Sequence, residues 1–198
     1  MTSPQDDKNQ PDESVKARKL GPFERPSIEV VRFTMARSLD SIPPDRSLPF
    51  GYRIEPWCEP LLPAFAAAMA VSFSDSTDLE VYPRLGSREG CLDFMKEIFS
   101  LPEFHTGASW LVFFNREPCA FIITSSTQVK GTGQIKVVGV APRHRRIKVG
   151  ETLCYRAMWA LRDRRFSRVI AKVNRPNHSA VRFFRSLGFQ VESSQEYM

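Results

Sequence analysis

Two β-branched runs, IKVVGVA (135–141) and RVIAKV (168–173), flank one segment of helical period, VGETLCYRAMWALRDRRF (149–166). In that segment Val149, Leu153, Ala157, Ala160 and Leu161 fall on a single stripe. A strand, a helix and a second strand in this order call for a crossover between parallel strands. Such a crossover is right-handed and asks for cover on the sheet faces. Few folds satisfy this, and the flanking segments narrow the choice further.

Upstream, ASWLVFF (108–114) and CAFIITSS (119–126) read as strands joined through NREP, a short hairpin connection, and a KGTG turn leads into the 135–141 run. GYRIEPW (51–57) reads as a first strand. Two helices should follow it. One carries Leu61, Phe65, Ala68, Met69 and Ser72 at three- and four-residue spacings. The other opens at Ser87 and aligns Cys91, Phe94, Met95 and Ile98. The polar stretch between them, 74–87, reads as a loop. A last helix places Ala180, Val181, Phe184 and Leu187 on one side and stops at Gly188-Phe189, ahead of a short edge strand, QVESSQEYM. The fold class is α/β: a mixed sheet, antiparallel first with a parallel crossover in its middle, between helices on both faces.

A chain of 198 residues fits one domain with a real core. Residues 1–27 hold four prolines, mixed charge and few large apolar groups, so a disordered tail is expected. Residues 28–50 read as an arm and linker with a possible extra strand, IEVVRFTMAR, whose partner nothing fixes. The compact domain is expected over 51–198. No apolar signal segment opens the chain, and the longest apolar run, AFAAAMAV, is too short to span a bilayer. Four cysteines without a C-x-x-C pair read as buried free thiols of a reducing compartment, and no metal site is expected.

Charge is uneven. Residues 130–185 hold fifteen Lys and Arg against two acids, Glu151 and Asp163. Most of that excess reads as a solvated face. The stretch VAPRHRRIKVGETL (140–153) is denser, and it sits where a strand hands over to a helix. Unpaired N–H groups at a helix start, basic side chains and a glycine together make a cradle for a phosphate or diphosphate. The P-loop pattern is absent, and Gly131-Thr132-Gly133 precedes a strand, so it is no dinucleotide fingerprint.

Val140, Pro142, Arg145, Lys148 and Gly150 match the spacing V-x-P-x-x-R-x-x-G-x-G. Asn177, Ala180, Phe183, Phe184, Gly188 and Phe189 match N-x-x-A-x-x-[FL]-Y-x-x-x-G-F. Over residues 51–197 the chain resembles the GNAT superfamily of acyl-CoA-dependent N-acetyltransferases. The resemblance implies a GNAT-like sheet, acetyl-CoA as co-substrate, no metal, and an amine-bearing small molecule or peptide as acceptor. With the cysteine usage and the lack of a long apolar segment, a cytoplasmic enzyme, monomeric or homodimeric, with no membrane partner is expected. By the same resemblance Val138, Gly139 and Val140 should lie along the pantetheine arm. Backbone amides of Arg145, Arg146, Ile147, Lys148, Val149 and Gly150 should hold the pyrophosphate, with Asn177 and Phe184 near the reacting end. Asn177 also suits a plain helix cap.

Three positions depart from the family pattern. Lys148 replaces a glycine, at a cost of roughly 1–2 kcal/mol if the position needs positive φ, and Arg146 replaces another common glycine. Phe184 stands where many members carry a proton-donating tyrosine. No catalytic residue is assigned. Asp78 and Glu80 are candidate bases that also read as solvated loop acids, and Cys119 and Cys154 read as core thiols. Two other readings stay open. One is a GNAT-fold module that binds coenzyme A or another anion without transfer. The other is nucleic-acid binding, which is disfavoured because the basic half lacks interleaved exposed aromatics.

Overall fold

The computed structural model describes residues 28–197, so the expected tail at 1–27 lies outside the described residues. Seven strands form one sheet. They are β1 (Val30–Ser38), β2 (Tyr52–Pro56), β3 (Trp110–Phe114), β4 (Glu117–Ser126), β5 (Thr132–Val140), β6 (Arg168–Asn174) and β7 (Gln190–Tyr197). Their spatial order is β2-β3-β4-β5-β6-β1-β7, and only the β5–β6 pair is parallel. The helices are α1 (Leu62–Phe73), α2 (Asp78–Val81), α3 (Arg88–Phe99), α4 (Val149–Asp163) and α5 (His178–Ser186). This is the mixed α/β sheet the sequence predicts, with α4 as the crossover.

Local chemistry accounts for the elements. Asn115 and Arg116, both at positive φ (47° and 73°), form the two-residue turn between β3 and β4, as a tight hairpin of the type I′ class requires. The Ser87 hydroxyl caps α3 by accepting from the Gly90 amide at 3.0 Å. Cys91, Phe94, Met95 and Ile98 are the buried face of that helix, as their spacing indicates. The stretch 74–87 differs from the expected loop: it holds α2 and a 3-10 turn at Pro83–Gly86. Both are too short for a helical period to show in the sequence.

Alternation along the strands divides the core into two layers. Leu111, Phe113, Phe121 and Ile123 face α1 and α3, packing with Phe65, Met69 and Phe94. Val112, Ala120, Ile122 and Ile135 face the other way, toward Val149, Leu153 and Leu161 of α4 and Phe184 of α5.

The sequence places the domain start near Gly51; the sheet takes in β1 as well. β1 lies between β6 and β7, paired antiparallel with both. The stretch after it is not a loose linker. Leu39 and Ile42 are buried, the Trp159 indole donates to the Pro43 carbonyl at 2.9 Å, and Arg156 pairs with Asp45 at 2.7 Å. Sequence periodicity cannot reveal such a partner, because the pairing joins residues more than a hundred positions apart.

Met35 on β1 is fully buried. Met35→Ala is therefore expected to lower unfolding free energy by about 2–5 kcal/mol, the range for truncating a core methionine. Urea denaturation measures it, and an unchanged midpoint would mean that β1 does not belong to the core.

Candidate active site

β5 and β6 pair from Thr132↔Arg168 to Ile135↔Ala171 and then part. The reason lies in β5. Its register with β4 steps from Ile135↔Thr124 to Val137↔Ile123, which leaves Lys136 as an extra, bulged residue. The burial pattern agrees: Ile135 packs in the α4 layer, whereas Val137, two residues on, packs in the α1 layer. A bulge bends its strand and increases the local twist, and β6 ceases to follow β5 at this point. A wedge opens within the sheet, with Lys136–Val140 as one wall.

The groups facing that wedge follow from the ladder. The Ala141 amide donates to the Cys119 carbonyl at 2.8 Å. Hydrogen-bonded and non-bonded pairs alternate in an antiparallel ladder, so Val140 and Val138 turn their N–H and C=O groups away from β4, into the wedge. Gly139 does not. It packs against the α1 layer, where an added Cβ would come within 2.5 Å of Phe121 Cε1 and 2.8 Å of Ser72 Cβ.

At the end of β5 the basic stretch forms a 3-10 turn at Pro142–His144 and then a loop in which Arg146 (φ 65°) and Lys148 (φ 68°) are both left-handed. The position that the family fills with glycine thus requires positive φ, and lysine adopts it. Alternating handedness turns successive N–H groups to one side, which makes an anion nest. From Arg146 through Glu151 no backbone N–H has an acceptor among the described residues, and no side chain caps α4. Gly150 has a structural duty beside this one: it is buried, and a Cβ there would lie 3.2 Å from Val140 Cγ2 and 3.4 Å from Phe183 Cζ. It lets α4 sit close to β5 and α5.

The Arg145 side chain is committed to the protein itself. Its Nε donates to the Val140 carbonyl at 2.9 Å, one Nη to the Ser72 carbonyl at 3.0 Å, and both Nη atoms to the Asp75 carboxylate at 2.7 Å. Arg145 thus pins the nest to the end of α1 and occupies one of the outward carbonyls of β5. The hydrogen bonds from Arg145 hold the Asp75 carboxyl below its usual range. A depressed folded value means that this tie is intact above the ordinary carboxylate range and is lost as pH falls through the lowered one. On the other side of the loop, the Tyr52 hydroxyl meets His144 Nδ1 at 2.7 Å. Burial, with Cys119 nearby, raises the tyrosine's pKa, so the hydroxyl keeps its proton.

Across the wedge, the Asn177 carbonyl oxygen caps α5 by accepting from the Ala180 amide at 2.9 Å, while its Nδ2 donates to Asp78 Oδ2 at 2.7 Å. Asn174, which ends β6, donates to Asp78 Oδ1 at 2.7 Å and accepts from Arg32 Nε at 3.1 Å. Arg32 also donates to the Tyr82 hydroxyl and lies 4.4 Å from the Tyr197 ring centroid. Asp75, Asn174 and Arg32 do not stand out in the sequence, although a charged residue inside the β-branched run VVRFTM is a signal for Arg32. Glu80, the other acid named as a base, is exposed.

Phe184 lies in the core, 5% exposed, between the rings of Phe183 and Phe189. Burial pushes the Cys119 thiol up to about 11 and the Cys154 thiol higher still, so neither is a nucleophile at neutral pH. Cys91 is likewise buried, whereas Cys58 is exposed, unlike the other three. Among the described residues no group of three metal-ligating side chains gathers, and no helix is long and apolar enough to cross a membrane.

A run of unpaired amides beside an unpaired strand edge can hold a diphosphate and an extended amide-bearing arm together. Comparison with known proteins gives the family and the fold. The profile described as "Acetyltransferase (GNAT) family" matches residues 75–189. A comparison with curated proteins finds none that matches. Among solved structures, a GCN5-related N-acetyltransferase from Sphaerobacter thermophilus is similar, with TM-score 0.65 and 18% identity over 88% of this chain and 52% of that one. The chain thus spans about half the length of that relative. The PaiA N-acetyltransferase of Thermoplasma acidophilum, in complex with coenzyme A, gives TM-score 0.57 and 15% identity over 74% of this chain and 99% of that one. The ribosomal-protein-S18-alanine N-acetyltransferase of Escherichia coli gives 0.53 and 19% over 72% and 79%.

The left-handed lysine has a measurable cost. Lys148→Gly relieves roughly 1–2 kcal/mol of conformational strain and adds about 0.5–1 kcal/mol of chain entropy to the unfolded state. Its expected net effect is a gain of about 0–1.5 kcal/mol. Lys148→Val, β-branched and ill-suited to this region, should lose stability. Chemical denaturation ranks the three, and equal values for glycine and valine would contradict a left-handed residue at 148.

Proposed function

The chain belongs to the GNAT acetyltransferase family, and from that premise we propose that it transfers an acetyl group from acetyl-CoA to a primary amine, by direct attack with both substrates bound. The observation that carries the reading is the row of unpartnered amides from Arg146 to Glu151, set at the end of a strand whose inner edge has lost its neighbour. When bound, the coenzyme supplies an acyl thioester. The chain supplies everything else.

The unpartnered amides from Arg146 to Glu151 hold the pyrophosphate, whereas the Arg145 amide, expected among them, is already donated to the Pro142 carbonyl. The helix start of α4 adds about half a positive charge. Arg146, Lys148 and Arg143 surround the nest with exposed cations. Val138 and the Val140 N–H pair with the pantetheine arm as a missing strand would, and the second N–H of Asn177 Nδ2 remains for the arm. Held in this way, a thioester and an amine can gain roughly 7–11 kcal/mol over a chance encounter. The amine nitrogen forms a bond to the acyl carbon, the carbon–sulfur bond breaks, the sulfur leaves with its electron pair, and the ammonium proton passes to solvent or a base. Phe184 offers no proton to the sulfur. With a pKa of about 8.5, a thiol leaves tolerably as its anion, so turnover is slowed but not prevented. An amine-bearing small molecule or peptide is the acceptor, and unpaired cysteines fit a cytoplasmic setting.

Phe184 favours a second reading, a module that binds the coenzyme without transfer. Free-thiol release from acetyl-CoA, measured against a panel of primary amines, separates the two: release with any amine is the expected result. Calorimetry with acetyl-CoA should show binding that weakens about tenfold or more when Arg146 and Lys148 are both changed to glutamate, since reversing two nearby charges costs several kcal/mol even at high dielectric. Binding without release selects the second reading, and no binding at millimolar ligand excludes both.

A further inference from the structure

Asp78 is the one aspartate among the described residues that is not exposed. Asp75, Asp45 and Asp93 are each paired with a cation, Arg145, Arg156 and Lys96 respectively. Asp78 makes no ion pair among the described residues; its partners are the neutral amides of Asn174 and Asn177, each at 2.7 Å. One amide goes to each oxygen, so the group is fixed in orientation while each oxygen keeps room for a second donor. The Asn174 amide is itself polarised, with Arg32 on its oxygen and Asp78 on its nitrogen. Arg32 and Asn174 are buried, whereas Asp78 is only partly so. The result is a rigidly mounted negative charge, open on one side, where β6 has parted from β5 and α5 begins.

We infer that Asp78 binds the acceptor's ammonium group at the mouth of the wedge, so that the substrate class is an amine recognised in its charged form. Asn174 and Asn177 orient the carboxylate, and Arg32, carried by a strand outside the segment matched by the family, orients Asn174. The acceptor approaches as a cation, donates to Asp78 and stands beside Asn177 at the thioester end; it gives up one proton to solvent before its freed nitrogen lone pair attacks. This inference rests on the acyl-transfer reading above.

The test compares two acceptors in the thiol-release assay: phenethylamine, charged at pH 7, and O-methylhydroxylamine, uncharged there. Asp78→Asn should lower the ratio of their kcat/KM values at least tenfold, chiefly by raising KM for phenethylamine. Asp78→Glu should recover part of the ratio, which a purely structural role would not predict. Asp78→Ser, which keeps an oxygen for the asparagines, carries the test if the asparagine variant does not fold. An unchanged ratio overturns the proposal. So does a fall seen in Glu80→Gln and not in the Asp78 variants, or a loss of coenzyme affinity alone. If the wild-type chain binds coenzyme A but acetylates neither compound, the transfer reading has failed. Calorimetric binding of phenethylammonium to the coenzyme-loaded chain then decides on Asp78 separately, with tenfold weaker binding to Asp78→Asn expected and equal binding contradicting it.

Discussion

Two parallel strands that pair over Thr132–Ile135 and then separate determine the rest of this structure. A strand in the middle of a sheet carries a row of N–H and C=O groups, and burial without partners costs as much as losing the hydrogen bonds outright. The bulge at Lys136 forces that situation on Val138 and Val140. The molecule meets it in two ways. Arg145 satisfies the Val140 carbonyl from within, and the remaining groups face a cleft that a ligand with peptide-like amides can fill.

The two lips of the cleft are held from one short segment. Asp75 grips the β5 side through Arg145, and Asp78 grips the β6 side through Asn174 and Asn177. The basic side is clamped further by the Tyr52–His144 hydrogen bond. These ties explain how Arg146 and Lys148 can hold a backbone region that suits glycine. Strained residues persist when their surroundings over-determine them, and here the loop is anchored before it, by Arg145, and after it, by Val149 and Gly150 packed in the core. The strain turns the amides outward. It also puts two exposed cations, Arg146 and Lys148, beside those amides where glycines would carry no charge.

Much of the sheet was legible in the chain because each signal there is local. The crossover showed in the change from β-branched runs to the helical stripe through Leu153, Ala157 and Leu161, and the α3 cap showed at Ser87. The basic strand-to-helix turn was legible from charge density and spacing. What escaped depends on long-range register. Nothing near Lys136 marks a bulge, since it arises from pairing with Thr124 and Ile123. The place of β1 is set by Asn174, Lys172 and Ser194 across two interfaces. Asp78 could be named as an acid in a loop, but its two asparagine partners lie almost a hundred residues away. Gly150 was read as leaving room for an anion, and the structure adds that it leaves room for Val140 and Phe183.

The central claim is that the amides after Arg145 grip a diphosphate while the inner edge of β5 takes the arm. Amide chemical shifts, followed residue by residue as coenzyme A is titrated into the labelled chain, report on this directly. Large, saturable shifts should concentrate at Arg146 to Glu151, with a second group at Val138 and Val140 and little change along Arg162–Arg168. Shifts spread over the basic surface, with the amides of 146–151 unmoved at saturation, would contradict it.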